Sequence, residues 1–337
     1  MKGEAGSDSI QPPLASIKEP SSRWFLRRLL TFIQRYALLM LFLLIVIALS
    51  IASPVFFSPR NLLNILRQTS VNGIIAVGMT FVIIAGGIDL SVGAIAALSA
   101  VVSASFGHPG QPVFLAFLGG IATGLACGAI NGILVGRFGV ASFIVTLGTL
   151  TILRGLSLVI TEGKSVIDLS AEFTGVSGNY VFHVPVPVLI FVLVVLMGFF
   201  ILGFTRYGRY VYGVGGNELA ARVSGINSRF IIGFTFVISG VLAGLAGVVL
   251  ASRVQTGSPV AGIGYELDAI AAVVIGGTSL SGGVGSIFGT FVGCLIIGVM
   301  NNGLDLLNVT SYFQQIVKGA AIILVVLLDK RVNLLRS

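Results

Sequence analysis

Charge is scarce. Aspartate, glutamate, lysine and arginine together make up 9% of the 337 residues, against about a quarter in soluble domains, while 55% are hydrophobic. That excludes an ordinary water-soluble domain and leaves a membrane protein. Cysteine is nearly absent: Cys127 and Cys294 both lie inside apolar runs. Two thiols so placed make neither a disulfide framework nor a metal site, and each behaves as a small hydrophobe. His108 and His183 are the two histidines, and the chain has no H-E-x-x-H or G-x-S-x-G stretch. No catalytic constellation is recognisable, and enzyme chemistry is not expected. The net charge of +8 comes without a basic stripe interleaved with aromatics, which excludes nucleic acid as the partner. T-E-G-K-S at 161–165 ends like a phosphate-binding loop, but Leu158 stands where that loop needs a glycine. If ATP is used, another subunit binds it.

What is abundant is apolar length and glycine. Forty-five glycines suit transmembrane helices, which associate through close backbone approach because lipid supplies no hydrophobic drive between them. A spanning helix needs about 20 apolar residues, fewer when broken or shielded. Ten candidates follow, at 37–53, 71–86, 90–106, 113–135, 141–161, 186–204, 230–251, 269–278, 287–300 and 313–328. The second, third, eighth and ninth are short and glycine-flanked. The expected class is an all-α polytopic integral membrane protein with about ten spans, some of them short or broken. Residues 1–35 are a disordered basic cytosolic tail, 36–330 the transmembrane domain and 331–337 a C-terminal cytosolic tail. Ser50-Ile51-Ala52 imitates a signal-peptidase site, but the many later spans favour a retained anchor.

An even number of spans puts both termini on one side. Arg137, Arg206, Arg209, Arg222, Arg229 and the basic residues of both tails then share that side, against Arg60, Arg67, Lys164 and Arg253 on the other. The positive-inside rule makes the first side cytosolic. S-P-R-N-L-L-N-I-L-R-Q-T at 58–69 starts with a serine cap and a proline, and groups Leu62, Leu63 and Leu66 on one face. It is either a helix lying on the outer surface or an extension of the second span.

Between the sixth and seventh spans lies a cytosolic loop at 205–229, whose polar stretch G-G-N-E-L-A-A-R-V-S-G-I-N runs from Gly215 to Asn227. Asn217 can cap two turns of helix and Gly225 can end them. Glu218 and Arg222 stand four apart in the favourable order, and Leu219 and Val223 form a ridge beside Ala220 and Ala221. Such a helix docks into a partner's groove, unless it is a plain connecting loop. Asp89 follows an apolar run, where it either caps the helix starting near Leu90 or serves a transport path. Arg154 sits inside the fifth span, so it must snorkel or pair with an acid; Glu266 and Asp268 are candidates for that pair or for an external gate. G-G-I-D-L-S-V-G at 86–93 recurs in outline as G-G-T-S-L-S-G-G at 276–283, the kind of break that marks a transport path or else a chance likeness of glycine turns.

Glu218 to Gly225 resembles the E-A-A-x-x-x-G cytoplasmic loop of bacterial ATP-binding-cassette importer permeases. A-V-G-M-T-F-V-I-I-A-G-G-I-D-L-S-V-G at 76–93, G-Y-E-L-D-A-I-A-A-V-V-I-G-G-T-S-L-S-G-G at 264–283 and N-N-G-L-D-L-L-N-V-T-S-Y-F-Q-Q-I-V-K-G at 301–319 resemble the ribose-type branch of monosaccharide permeases. The likeness covers about 37–330. It implies a ten-span permease subunit that imports ribose or a related pentose or hexose across the bacterial inner membrane. It further implies a second permease copy, a cytosolic ATPase that binds ATP and magnesium, a periplasmic sugar-binding protein, and no cofactor in this chain. By the same resemblance Asn217 to Val223 and Gly225 would couple to the ATPase, and Arg60, Arg67 and Arg253 would meet the binding protein. Asn72, Asp89, Ser91, Asn131, Arg154, Glu266, Asp268, Asn301 and Asn302 are candidates for the path or its gate. An ion-coupled secondary transporter using Asp89 and Arg154, or a channel, are the competing expectations.

Overall fold

The computed structural model describes residues 39–40, 42–310, 312–316, 319–320 and 323. The expected N-terminal tail, C-terminal tail and most of the tenth span lie outside these residues. The helices are α1 (Phe42–Ala52), α2 (Pro59–Ile84), α3 (Val92–Ser105), α4 (Val113–Gly132), α5 (Ser142–Thr161), α6 (Ala171–Gly178) and α7 (Val186–Phe204), followed by α8 (Arg206–Gly216), α9 (Glu218–Val223), α10 (Ser228–Val254), α11 (Tyr265–Ile275) and α12 (Ile287–Leu306). A π-helical turn, Ile133–Arg137, prolongs α4. The two short strands Tyr180–Val181 and Val184–Pro185 form a hairpin. Among the described residues, six helices are long and apolar enough to cross a bilayer: α2, α4 with its π turn, α5, α7, α10 and α12.

Residues 58–69 are not a separate surface helix. Ser58 accepts a hydrogen bond from the Asn61 N–H, Pro59 opens the first turn, and the helix runs unbroken to Ile84. Nothing between Pro59 and Gly73 lacks a backbone donor or demands a turn, so propagation continues into the span. The short members are explained by shielding. α3 is buried along almost its whole length, and most of α11 is covered too. Helix ends at membrane depth are tolerated where protein, not lipid, surrounds them. Burial also separates centre from rim: 83% of the apolar window of α2 is buried, against 22% of that of α5. Thus α2, α3 and α10 form the middle, while α4, α5 and α7 turn a face to lipid.

Among the described residues the most extensive helix pair is α4 with α10, and its seam is lined with glycine. Gly124 and Gly128 lie against Gly240 and Gly244, and a methyl at Gly124 would overlap the Gly240 carbonyl. Backbones can approach that closely only without side chains. Replacing Gly128 by leucine should therefore push the pair apart, a strain of roughly 1–3 kcal/mol or more. The melting midpoint of the detergent-solubilised protein should fall clearly. Gly203→Leu, where a side chain would meet open space, should leave it unchanged.

Candidate functional site

The 205–229 loop folds as two short helices. Thr205 accepts from the Gly208 N–H at the start of α8, and Asn217 ends α8 while its Oδ1 accepts from the Ala220 N–H at 2.9 Å to begin α9. Gly225 takes φ +83°, a conformation costly for any residue with a Cβ, and closes the helix with the Ile226 N–H on the Ala221 carbonyl. Glu218 and Arg222 pair at 2.6 Å, Arg222 Nε donates to Ser228 Oγ at 2.7 Å, and that hydroxyl donates to Glu218 at 3.0 Å. The three side chains tie α9 to the first residue of α10. Ala221 is buried beneath, while Leu219 and Val223 are 73% and 83% exposed. Two large apolar side chains are thus held outward on a fixed helix, the form of a docking ridge.

Behind α9, three stretches of backbone meet. A methyl at Gly215, near the end of α8, would overlap the carbonyl of Ile84, the last residue of α2. That same carbonyl accepts from the Gly283 N–H at 2.9 Å, and Tyr212 of α8 donates its hydroxyl to the Gly285 carbonyl at 2.8 Å. Burial raises the Tyr212 phenol above its ordinary pKa, so the hydroxyl keeps the proton it donates. Both glycine-rich turns of the sequence repeat reach this junction. Gly86 and Gly277 have φ of +87° and +88°, and each begins the same helix-ending turn: Gly87 N–H to Val82 C=O after α2, Thr278 N–H to Val273 C=O after α11. The structural match is one residue out of step with the sequence match, pairing Gly86 with Gly277: the capping residue after α11 is Gly276, where the one after α2 is Ala85.

Asp89 is wholly buried in the first turn. Its carboxylate accepts from the Ser91 N–H at 3.0 Å, the Ser91 hydroxyl at 2.6 Å and the Ser239 hydroxyl of α10 at 2.9 Å. Ser91 in turn accepts from Asn131 Nδ2 of α4 at 2.8 Å, and Asn131 Oδ1 accepts from Thr149 of α5 at 2.7 Å. The turn between α2 and α3 is thereby bolted to three other helices. Asp89 does not cap α3 in the expected way. Ser91 is the boundary residue, and the carboxylate bonds the boundary N–H instead of those one turn inside.

A second polar group includes Asn72, about twelve residues, roughly 18 Å, before the end of α2 at Ile84. Asp268 of α11 accepts from Asn72 Nδ2 at 3.2 Å and from Asn301 Nδ2 at 3.4 Å. Asn302 and Asn61 exchange two amide hydrogen bonds of 2.8 and 2.9 Å. Asn72, Asp268 and Asn301 border a cavity of about 10 Å³, room for one water and far too small for a sugar. Of the two options for Arg154, the pair with Glu266 is not formed: Arg154 donates to the Pro259 and Ala261 carbonyls at 3.1 and 2.7 Å. Backbone carbonyls of the loop before α11 are nearer to it than any carboxylate of the helix itself. The Glu266 carboxylate instead packs on Gly93, where any side chain would overlap it.

Residues 61–326 match the model of the branched-chain amino acid transport system / permease component family. The chain belongs to that family. It is a transport permease component, not an enzyme. Ribose import permease protein RbsC of Haemophilus influenzae is 46% identical over 317 residues, covering 93% of this chain and 97% of that protein. Ribose import permease protein RbsC of Escherichia coli K12 is 48% identical over 294 residues, 86% of this chain and 92% of that one. The D-allose transport system permease protein AlsC of E. coli K12 is 44% identical over 304 residues, 90% and 93% of the two chains. No solved structure matches.

The permease's two ends are distinct. α9 packs at the start of α10, while α6 packs at its far end, where Ser252 accepts from the Ser177 N–H. Arg60, Arg67 and Arg253 belong to the latter end, but they differ in availability. Arg60 is exposed, Arg253 is half-buried, and Arg67 lies over the Tyr180 ring at 4.8 Å. Several contributors were not anticipated: Ser239 and Thr149 in the Asp89 network, Tyr212 and Gly215 at the junction. Glycines at 120, 124, 128, 132 and 136 repeat every four residues along α4 and its π turn, a spacing from which the α10 seam could have been found.

Proposed function

We propose that this permease is the membrane-spanning subunit of an ATP-binding-cassette importer for a monosaccharide, ribose or a related pentose or hexose. Two copies form the pathway, a cytosolic ATPase binds ATP and magnesium, and a periplasmic binding protein delivers sugar to the end carrying Arg60 and α6. Both termini and α9 lie in the cytosol of a bacterial inner membrane. The observation that carries this reading is the clamped α9 helix with Leu219 and Val223 turned outward. The sugar names borne by relatives at 44–48% identity give the substrate class. ATP hydrolysis would move α9, and a two-state bundle would open alternately to either side.

Vesicles containing the permease, its ATPase and its binding protein should accumulate radiolabelled ribose only with ATP inside the compartment facing α9. Uptake by the permease alone, driven by an ion gradient, would replace this reading with the secondary-transporter one. A narrower test addresses the ridge. Leu219→Glu with Val223→Glu puts two charges where apolar contact is expected, and should lower ATPase co-purification at least tenfold while the permease stays folded. Unchanged co-purification would remove α9 from the ATPase interface.

A further inference from the structure

A groove of about 540 Å³ runs along the seam of α4 and α10 at the end that carries α9. Its floor is glycine: a methyl at Gly132 would overlap the Gly233 carbonyl, so the helices touch there and leave a slot above them. Its walls are apolar and outward-facing, with Ile133 51%, Phe230 60% and Phe234 40% exposed. Phe230 and Phe234 stack at 5.7 Å with an interplanar angle of 12°, making one side continuous. Arg137 and Arg229 stand at the mouth, and both are exposed. Neither guanidinium pairs with a carboxylate or donates a hydrogen bond among the described residues. Arg137 is the last residue of the π turn, whose wider coil rotates its side chain away from where a continued α-helix would place it.

An apolar slot with a doubly cationic mouth, at the end of two membrane-spanning helices, complements one chemistry: an anionic head joined to an alkyl tail. We propose that this groove binds an anionic phospholipid, its phosphate on Arg137 and Arg229 and one acyl chain along Ile133, Phe234 and Val237. Basic pockets between transmembrane helices on the cytosolic side suit anionic headgroups, and arginine fits phosphate with paired donors. A second copy of this chain is the poorer occupant. A two-fold axis through this patch would bring the four arginines of two copies together with no carboxylate in the lining to pair them. The same two arginines also border a cavity of about 520 Å³ shared with Asn217, Glu218 and Arg222, so a bound headgroup would lie beside α9. That placement in the cytosol rests on the importer reading; lipid binding itself does not.

The test uses the purified full-length permease in detergent, with phosphatidylglycerol, phosphatidylcholine and inorganic phosphate as separate probes read by native mass spectrometry. Phosphatidylglycerol should be retained at least tenfold more than phosphatidylcholine, and R137Q with R229Q should remove that preference. Ala129→Phe fills the slot while keeping both charges, so it should weaken phosphatidylglycerol without touching the arginines. Equal retention of the two lipids, or an unaltered preference in both variants, would overturn the proposal. So would competition by inorganic phosphate alone at matched concentration, or loss of a permease dimer in the variants with lipid retention intact. Failure of ATP-driven sugar uptake in the vesicle assay would leave the lipid result standing and would count against the importer reading only.

Discussion

Gly215→Ala should lower ATP-driven uptake at least tenfold while leaving the ATPase bound to the permease. The added methyl would overlap the Ile84 carbonyl and come within 2.7 Å of the Gly283 nitrogen. α8 must then back away from the ends of both α2 and the 276–286 turn. α9 itself is untouched, because its cap, its ion pair and its exposed ridge all lie at or beyond Asn217. Docking and transmission are thereby separated. Gly216→Ala is the internal control: a methyl there meets nothing within 4 Å, and alanine favours a helix over glycine by about 1 kcal/mol. Co-purification should be normal in both variants, with uptake normal in Gly216→Ala and at least tenfold lower in Gly215→Ala. Tyr212→Phe removes one hydrogen bond of about 1 kcal/mol from the same junction and should slow uptake without stopping it. Normal uptake by Gly215→Ala would show that motion of α9 reaches the bundle by another route.

Why this junction was not legible beforehand is a matter of range. The sequence carries strong local signals where an element is long and uniform: α7 begins and ends at the residues expected from hydropathy, and α5 differs by one residue. Caps are equally local, so Asn217, Ser58 and Gly225 could be named from neighbours three or four residues away. Leu62, Leu63 and Leu66 could not decide between a surface helix and a longer span, because both present the same periodicity and only packing separates them. Asn61 meets Asn302 across 241 positions, and Asp89 meets Ser239 across 150. No spacing encodes such pairs. For Arg154 the sequence leaves open snorkelling or pairing with an acid, and the backbone carbonyls that hold it carry no residue-type signal at all. The repeated glycine turns were visible, but their alignment depended on which residue ends each helix, a geometric property that residue identity only partly reports.

Asp89→Leu should unfold or severely destabilise the permease, and Asp89→Asn should not. The leucine removes an acceptor that serves three buried donors: the Ser91 N–H, the Ser91 hydroxyl and the Ser239 hydroxyl. Leaving a buried donor unsatisfied costs about 1–3 kcal/mol each, so the loss should be on the order of 3 kcal/mol even if one hydroxyl finds a helix carbonyl. Asparagine keeps one oxygen for Ser91 and presents an amide to Ser239, whose hydroxyl can turn to accept; the cost should be about 1 kcal/mol. Thermal melting of both variants in detergent measures this difference directly, and Ser239→Ala supplies a third point by deleting one donor instead of the acceptor. Uptake discriminates structure from transport. A structural bolt predicts that Asp89→Asn transports at a rate close to wild type and that its activity follows its stability. A charge that serves an ion path predicts the reverse: Asp89→Asn fully stable, with uptake gone. The geometry favours the bolt, because every hydrogen bond to the carboxylate comes from a serine of another packed element, Ser91 at the start of α3 or Ser239 within α10, and Arg154 is engaged with carbonyls of the 259–261 loop.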